Sequence, residues 1–373
     1  MHISCERNLL KNAIDQVSKA ISTKQALPIL GHILFEASDS NLKLTASSLD
    51  IGISCTIPVS EMRDGGATTC SAKVIAEIIN NLPAGLVNLD IDSSINAELT
   101  VSNDYSTFKV MTLPSEEFPK SIKPENCHQI EMSAEIFCQI VNKVIPAVAD
   151  PNEARPIMQG VSITFEPQEI VLAATDSKRL AKTTLGGLHN EGERQQIIVP
   201  GKPLNDLLKI LNREEEIKIS YTANHLFVNS EDMSFFCKLL EGSFPNYEKV
   251  IPTSFKSTCR VGKEILTAAI RRVIIMAKDK DVPNLVKFEF QEGNLILSAE
   301  TNSLGSAEEK LPTIYEGEPL VISFNGNYIL DALKVIDQEE ILFQLQDSKS
   351  SIIIKGNDED DTSLYICMPV RTR

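Results

Sequence analysis

The chain repeats one arrangement three times, and this repetition restricts the fold more than any single residue does. Apolar residues at helical spacing occur at Leu9, Leu10, Ala13, Ile14 and Val17. They return at Ile136, Phe137, Ile140, Val141, Val144 and Ile145, and again at Ile265, Leu266, Ala269, Ile270, Val273 and Ile274. The three sets lie about 128 residues apart, and each predicts a helix with one apolar stripe. A second stripe follows in every copy: Val74, Ile75, Ile78, Ile79 and Leu82, then Leu204, Leu207, Leu208 and Leu211, then Tyr328, Ile329, Ala332, Leu333 and Ile336. A short strand-like run, ATTCSAK, IIVPGKP or VISFNGN, precedes each.

Between the two helices of a copy lie two strand-like runs, 33–36 and 42–46, 161–165 and 170–174, and 286–290 and 295–299. Their connections carry Asp39 and Asn41, Pro167, or Gly293 with Asn294, which are turn residues of hairpins. Solenoid units span about 20 to 50 residues, so copies of this length read as three similar α+β domains. We place them at 1–122, 130–250 and 253–373.

Apolar residues make up 42% and charged residues 23% of the chain, enough to build real cores. No apolar run approaches the length of a membrane-spanning helix, and the N-terminus MHISCERNLLKN lacks the apolar stretch of a signal peptide. Cys5, Cys55, Cys70, Cys127, Cys138, Cys237, Cys259 and Cys367 are scattered without a CxxC pair, as in a reducing compartment. They read as free thiols, mostly filling core, in a cytoplasmic protein with no membrane partner.

Catalytic motifs are scarce. The five histidines, His2, His32, His128, His189 and His225, form no cluster with metal-ligand spacing. Gly201-Lys202 and Gly262-Lys263 lack the earlier glycine of a phosphate-cradling loop, so neither a metal nor a nucleotide cofactor is expected. Asp176 in ATDSKRLA has the chemistry of a general base beside Lys178 and Arg179, but a polar turn of this kind is more often solvated surface. A non-catalytic role is expected.

The net charge of −15 runs against phosphate binding if taken as a sum. Its distribution differs, because the six helical stretches together carry +5 and the remainder −20. Charge alone fits nucleic-acid-facing helices and ordinary lysine-bearing helix surfaces equally.

Eight stretches carry a resemblance. ALPILGHILFEA (26–37), TLPSEEFP (112–119), RPIMQGVSITFE (155–166), LAATDSKRLA (172–181), IIVPGK (197–202), LLEGSFPNYEKVIP (239–252), FNGNYILDAL (324–333) and the terminal MPVRTR stand in order on the threefold repeat. The chain resembles the bacterial DNA polymerase III β subunits, the processivity sliding clamps, along its whole length. The resemblance implies a DNA clamp fold, in which helices line the inside and antiparallel sheets form the outside of a ring made by a head-to-tail homodimer. It also implies a protein that encircles double-stranded DNA without sequence specificity.

Simple geometry agrees with the pairing. Helices pack at roughly 10 Å, so six enclose a circle about 19 Å across between axes and leave roughly 9 Å free. Twelve leave roughly 28 Å, which admits a duplex about 20 Å wide.

Ile275 and Met276 lie off the helical stripe, where the other copies have Lys19-Ala20 and Pro146-Ala147. By resemblance their counterparts across the dimer interface are Phe108 and Val110, two same-face residues of a strand; all four also fit a core role. Lys24, Asn152 and Arg155 are the implied DNA contacts, although Pro156-Ile157 replaces the aromatic residues that often follow this arginine.

The resemblance further implies a groove for short partner peptides that begin with glutamine and end in Leu or Phe. Its walls would be Met158, Thr175, Leu180, Pro245, Val250, Ile366, Met368, Pro369 and Val370, with edges from Ser177, Lys178, Arg179, Lys249, Asn325 and Arg371. Apolar walls with a few placed polar groups suit an anchored peptide; without the resemblance the same residues read as core edge and C-terminal tail. Implied partners are the replicative DNA polymerase catalytic subunit, the clamp loader complex, translesion polymerases, mismatch-repair proteins and ligase. Ser177-Lys178 replaces a frequent Gly-His, and Lys249 a frequent arginine. A three-domain scaffold that binds only proteins would share the repeats and the groove without encircling DNA.

Overall fold

A two-residue turn sets the register of the first hairpin. Asp39 and Ser40 both have positive φ, 49° and 60°, the left-handed pair that matches strand twist in a tight hairpin. Strands His32–Ser38 and Asn41–Ser47 accordingly pair antiparallel, with Phe35 opposite Leu44. The other two expected hairpins are Gly160–Phe165 with Glu169–Thr175 and Leu285–Gln291 with Asn294–Thr301. The structure is a computed structural model that describes residues 1–22, 27–91, 98–125, 127–152, 155–187, 194–278, 283–358 and 361–370.

Six α-helices fall where the stripes place them: α1 Arg7–Val17, α2 Ala72–Asn81, α3 Ala134–Val144, α4 Gly201–Leu208, α5 Lys263–Val273 and α6 Gly326–Val335. The first helix of each copy runs on into one 3-10 turn, Ser18–Ala20, Ile145–Ala147 or Ile274–Met276. The stripes are narrower than the apolar pairs predict. Leu10, Ala13, Ile14 and Val17 are buried in α1, and Leu266, Ala269, Ile270 and Val273 in α5, whereas Leu9, Ile136 and Ile265 are 40%, 40% and 43% exposed. A helix lying on a sheet covers a stripe roughly 100° wide, so the outer member of each pair stays at the rim. Burial of a Leu, Ile or Val is worth about 1.5–3 kcal/mol each, enough for the inner members alone to dock the helix.

Many helix cations act within the fold. Arg7 donates Nε to the Ile79 carbonyl at 2.9 Å and Nη2 to that of Asn80 at 2.7 Å, while Lys263 donates Nζ to the Ile336 carbonyl. Each puts a cation at the C-terminal end of its copy's second helix, where the macrodipole is negative. Lys11 pairs with Asp15, Lys143 with Asp361, Lys209 with Asp206, Arg272 with Glu309 and Lys334 with Asp331. Lys73, Lys202, Arg213, Arg271 and Lys278 are exposed and make no ion pair with a described residue.

Packing divides the chain into two units, Met1–Phe137 with Lys202–Leu239 and Cys138–Gly201 with Leu240–Arg373. Strand pairing explains why the division does not follow the copies. The first unit holds a 13-stranded sheet in which Met233–Lys238 of the second copy pairs with Ile51–Pro58 of the first, Phe236 opposite Gly52. The second unit holds a nine-stranded sheet in which Arg179–Gly186 of the second copy pairs with Leu364–Cys367 of the third, Leu180 opposite Ile366. A four-stranded sheet completes it, with Gly305–Pro312 on its edge. The middle copy thus lends one edge to each neighbour and is split between them.

Seven of the eight thiols are buried, and Cys127 is half-buried. Burial pushes Cys5, Cys70, Cys237, Cys259 and Cys367 up to about 12, and Cys55 to about 11. Among the described residues, no helix is long and apolar enough to cross a membrane.

Candidate functional site

The turn at 176–178 builds one wall of an apolar cleft in the second unit. Asp176 Oδ1 accepts from Lys178 N at 2.8 Å and Arg179 N at 2.9 Å. Thr175 Oγ1 donates to the Arg179 carbonyl at 2.6 Å and accepts from Ser177 N at 3.1 Å. Ser177 has φ 73°, the left-handed region that favours glycine. The solvated Asp176 that the turn sequence predicts is not found. Its side chain is 12% exposed, and its oxygens are taken up by the turn and by Arg179, because short polar side chains fold back onto the backbone two and three residues on.

Arg179 is committed in the same way. It donates Nε to Asp176 Oδ2 at 3.0 Å and Nη1 to Asp331 Oδ2 at 2.6 Å, and its guanidinium lies 4.4 Å from the centre of the Tyr328 ring. The Arg179–Gly186 strand is thereby tied to α6, and the guanidinium charge is balanced by two carboxylates. The Met368 N–H donates to the Lys178 carbonyl at 2.9 Å, which fixes the C-terminal segment to the same turn.

Below the turn, Leu180 and Ile366 join Ala173, Ile198, Phe244 and Ile353 in a buried cluster. Above it opens a cleft of about 190 Å³, where Met158, Thr175, Ser177, Arg179, Leu180, Pro245, Val250, Ile366 and Met368 come together. Val250 and Met368 are each 41% exposed, so apolar surface stands open at the mouth. Asn246 and Tyr247 also line the cleft, and the sequence reading missed both. The available signal was the aromatic pair Phe244 and Tyr247, which pack edge to face at 6.1 Å, with Tyr247 opening the 3-10 turn Tyr247–Val250.

Other predicted residues stand outside the lining. Lys178 and Lys249 are exposed next to it in sequence. Asn325 caps α6, its side chain accepting from Asn327 N at 3.0 Å. Pro369 and Val370 are half-buried, and Val370 N donates to the Ser323 carbonyl at 2.8 Å. Arg371 and Lys24 lie outside the described residues. Asn152 sits in an exposed turn with both its N–H and Nδ2 on Asp150 Oδ1, and Arg155 is exposed just before Pro156–Gln159.

Phe108 is 38% exposed, whereas Val110 is only 8% exposed and packs mainly within its own unit. Ile275 is 55% exposed and Met276 half-buried. The strand Thr107–Leu113 pairs with Glu98–Ser102 through Met111, but it meets Gly66–Ser71 only at Thr112 and Leu113. Among the described residues, one edge of 107–111 is therefore open.

Three family models of the DNA polymerase III beta subunit match consecutive parts of the chain: the N-terminal domain at 1–122, the central domain at 131–246 and the C-terminal domain at 248–371. Proteins named beta sliding clamp from Halalkalibacterium halodurans and Bacillus subtilis are 31% and 29% identical, each over the full length of both chains. The solved DNA polymerase sliding clamp of Bacillus subtilis superposes with a TM-score of 0.92 at 28% identity. The DNA polymerase III beta subunit of Thermotoga maritima superposes with 0.90 at 28%, and both comparisons cover the chains completely. Matched from end to end in sequence and in its three-domain α+β fold, the chain belongs to the DNA polymerase III beta subunit family, the sliding clamps.

Proposed function

We propose that two copies of this chain close head to tail around duplex DNA, and that the ring holds partner proteins through the cleft at Leu180 and Ile366. The protein is a sliding clamp, a non-catalytic subunit that confers processivity on a DNA polymerase. The three copies act as domains at 1–122, 130–250 and 253–373.

The observation that carries the assembly is the joint between copies. Twice within the chain an outer strand of one copy pairs with the last strand of the next, Ile51–Pro58 with Met233–Lys238 and Arg179–Gly186 with Leu364–Cys367. The same bond closes both joints: Lys238 N donates to the Asp50 carbonyl at 2.7 Å, and Met368 N to that of Lys178 at 2.9 Å. One half-joint then remains unused in each end copy, the outer strand Gly305–Pro312 and the open edge at 107–111. Open strand edges are templates for pairing. A third joint made between chains consumes both, and two such joints close a ring of twelve helices. Phe108 and Val110 then face Ile275 and Met276 of the partner.

Holding by encirclement needs only weak phosphate contacts. Lys24, Asn152 and Arg155 supply them, together with the exposed helix cations Lys73, Lys202 and Arg271 and with Arg213 and Lys278 just beyond α4 and α5. The cleft anchors peptides with a glutamine start and a Leu or Phe end, displayed by the replicative polymerase, clamp loader, translesion polymerases, mismatch-repair proteins and ligase, in the cytoplasm where replication proceeds.

Ile275→Asp with Met276→Asp tests the assembly, because it buries unpaired carboxylates in the interface at a cost of several kcal/mol. The wild type should run at about twice 41.1 kDa and stay on nicked circular DNA after loading, yet slide off linear DNA. The double variant should run as a folded monomer and stay on neither. Wild-type monomers at micromolar concentration would sink the ring; a dimer never retained on circles would leave a protein-only scaffold. For the cleft, deletion of residues 368–373 should abolish calorimetric binding of a Gln-to-Leu-Phe peptide, and unchanged affinity would place the site elsewhere.

A further inference from the structure

The joint between the first and second copies is built like the one that holds the cleft. Its turn repeats the backbone conformation, with Leu49 at φ 75° where Ser177 has 73°, and the same N–H to carbonyl bond closes both joints. The chain leaving the first copy, Pro119–Pro124, borders a groove of about 230 Å³ there, as Pro245–Val250 borders the cleft. The contents differ. Gly52 stands where the other joint has Leu180, and the Phe236 ring lies over it. Phe227 packs 6.3 Å from Phe236, and Ile122 is 39% exposed on the groove's border.

Two lysines, Lys43 and Lys123, line this groove, are exposed, and make no ion pair with a described residue. Lys43 shares its strand face with Thr45, which lines the groove and is 6% exposed. The Thr45 hydroxyl has no hydrogen-bond partner among the described residues. An aromatic floor, two unpaired cations and an unpaired hydroxyl on a chain of net charge −15 form a local basic and apolar strip.

We infer that this groove is a second docking site, for an extended acidic segment of a partner protein that places an apolar side chain on Phe236 and carboxylates on Lys43 and Lys123. The inference rests on the proposed peptide cleft for its likeness of construction, while the charge complementarity is the groove's own.

The test is fluorescence anisotropy of a labelled peptide, Asp-Glu-Phe-Asp-Leu-Glu, titrated with the intact dimer while the first cleft is saturated with unlabelled Gln-to-Leu-Phe peptide. Binding in the tens of micromolar is expected to survive that saturation. It should weaken at least tenfold in Lys43→Glu with Lys123→Glu, and several-fold in the charge-neutral Ile122→Ser. Both variants should bind the Gln-to-Leu-Phe peptide as the wild type does, which reports on folding. Absence of binding, displacement by the Gln-to-Leu-Phe peptide, or indifference to either set of substitutions would overturn the proposal. If the acidic peptide binds and the Gln-to-Leu-Phe peptide does not, the second groove stands and the first cleft falls.

Discussion

Arg179→Ala tests whether the cleft is held together by one guanidinium. The substitution removes the 2.6 Å bond to Asp331, the 3.0 Å bond to Asp176 and the stacking on Tyr328. Hydrogen bonds to charged groups are worth about 1.5–3 kcal/mol net, and a cation over an aromatic ring about 0.5–2 kcal/mol. These do not add fully, because Asp331 keeps Lys334 at 2.7 Å and Asp176 keeps its two turn N–H groups. With the arginine side chain only 16% exposed, the net loss should be about 3 kcal/mol, the low end for breaking a buried pair. The loss is local, so the assay is native-state hydrogen exchange of the amides joining Arg179–Gly186 to Leu364–Cys367. Three kcal/mol corresponds to exchange faster by on the order of 100-fold there. A double-mutant cycle with Asp331→Asn should return a coupling of about 1–2 kcal/mol. Acceleration under threefold, or coupling indistinguishable from zero, would refute the claim that Arg179 fastens the strand to α6.

Asp361 gives a pH signature. Burial is the largest single influence and pulls its carboxyl up, but the Ser363 hydrogen bonds and the Lys143 charge together hold it below the ordinary value. Because its pKa is lower folded than unfolded, the stabilisation is complete above the unfolded value of about 4 and fades as pH falls through the folded one. The melting difference between wild type and Asp361→Asn should therefore be constant at neutral pH and shrink below about pH 4; a difference unchanged at pH 3 would contradict it. Thiol titration with a disulfide reagent should label one cysteine per chain in the native state, Cys127, since the other seven are buried. Two or more fast-reacting thiols would show that the cores open more readily than the burial implies.

The helices and hairpins were legible in sequence because they are local. The stripe of Leu9, Leu10, Ala13, Ile14 and Val17 and the turn carrying Asp39 and Asn41 each specify their element without reference to distant residues. The joints were not. Nothing in IGISCTIP announces that it pairs with MSFFCK nearly two hundred residues away; the resemblance supplied the cleft, and the two joints supply the logic of closure. Asp176 and Arg179 were visible as charged residues, but whether a charge faces solvent or a partner depends on what folding brings near. Asp331, which settles that question for Arg179, is 152 residues away. Leu9, Ile136 and Ile265 fail for a similar reason, because periodicity gives the direction of an apolar stripe and the opposing surface decides its width.

The two joints solve one packing problem with different residue pairs, and exchanging the pairs tests whether they are true equivalents. At the first joint Gly52 faces Phe236, and at the second Leu180 faces Ile366. A Cβ on Gly52 would lie 2.0 Å from Phe236 Cε1 and 2.8 Å from Cζ, so the ring occupies the space that a side chain at position 52 needs. Gly52→Leu must expel the ring from the sheet face, at an overpacking cost of about 1–3 kcal/mol plus the exposure of part of an aromatic side chain. Phe236→Ile alone leaves the glycine uncovered and removes the contact with Phe227, a loss of about 1–2 kcal/mol. Together the substitutions recreate the pair of the second joint, and the strand can keep its register because the backbone pairing is the same at both. The double variant should therefore be more stable than the sum of the single losses by about 1–2 kcal/mol, measured by urea unfolding followed through exchange of the Met233–Lys238 amides. Strict additivity would mean that the joints share a hydrogen-bonding pattern but not a packing rule, and the correspondence of Gly52 with Leu180 would then have to be abandoned.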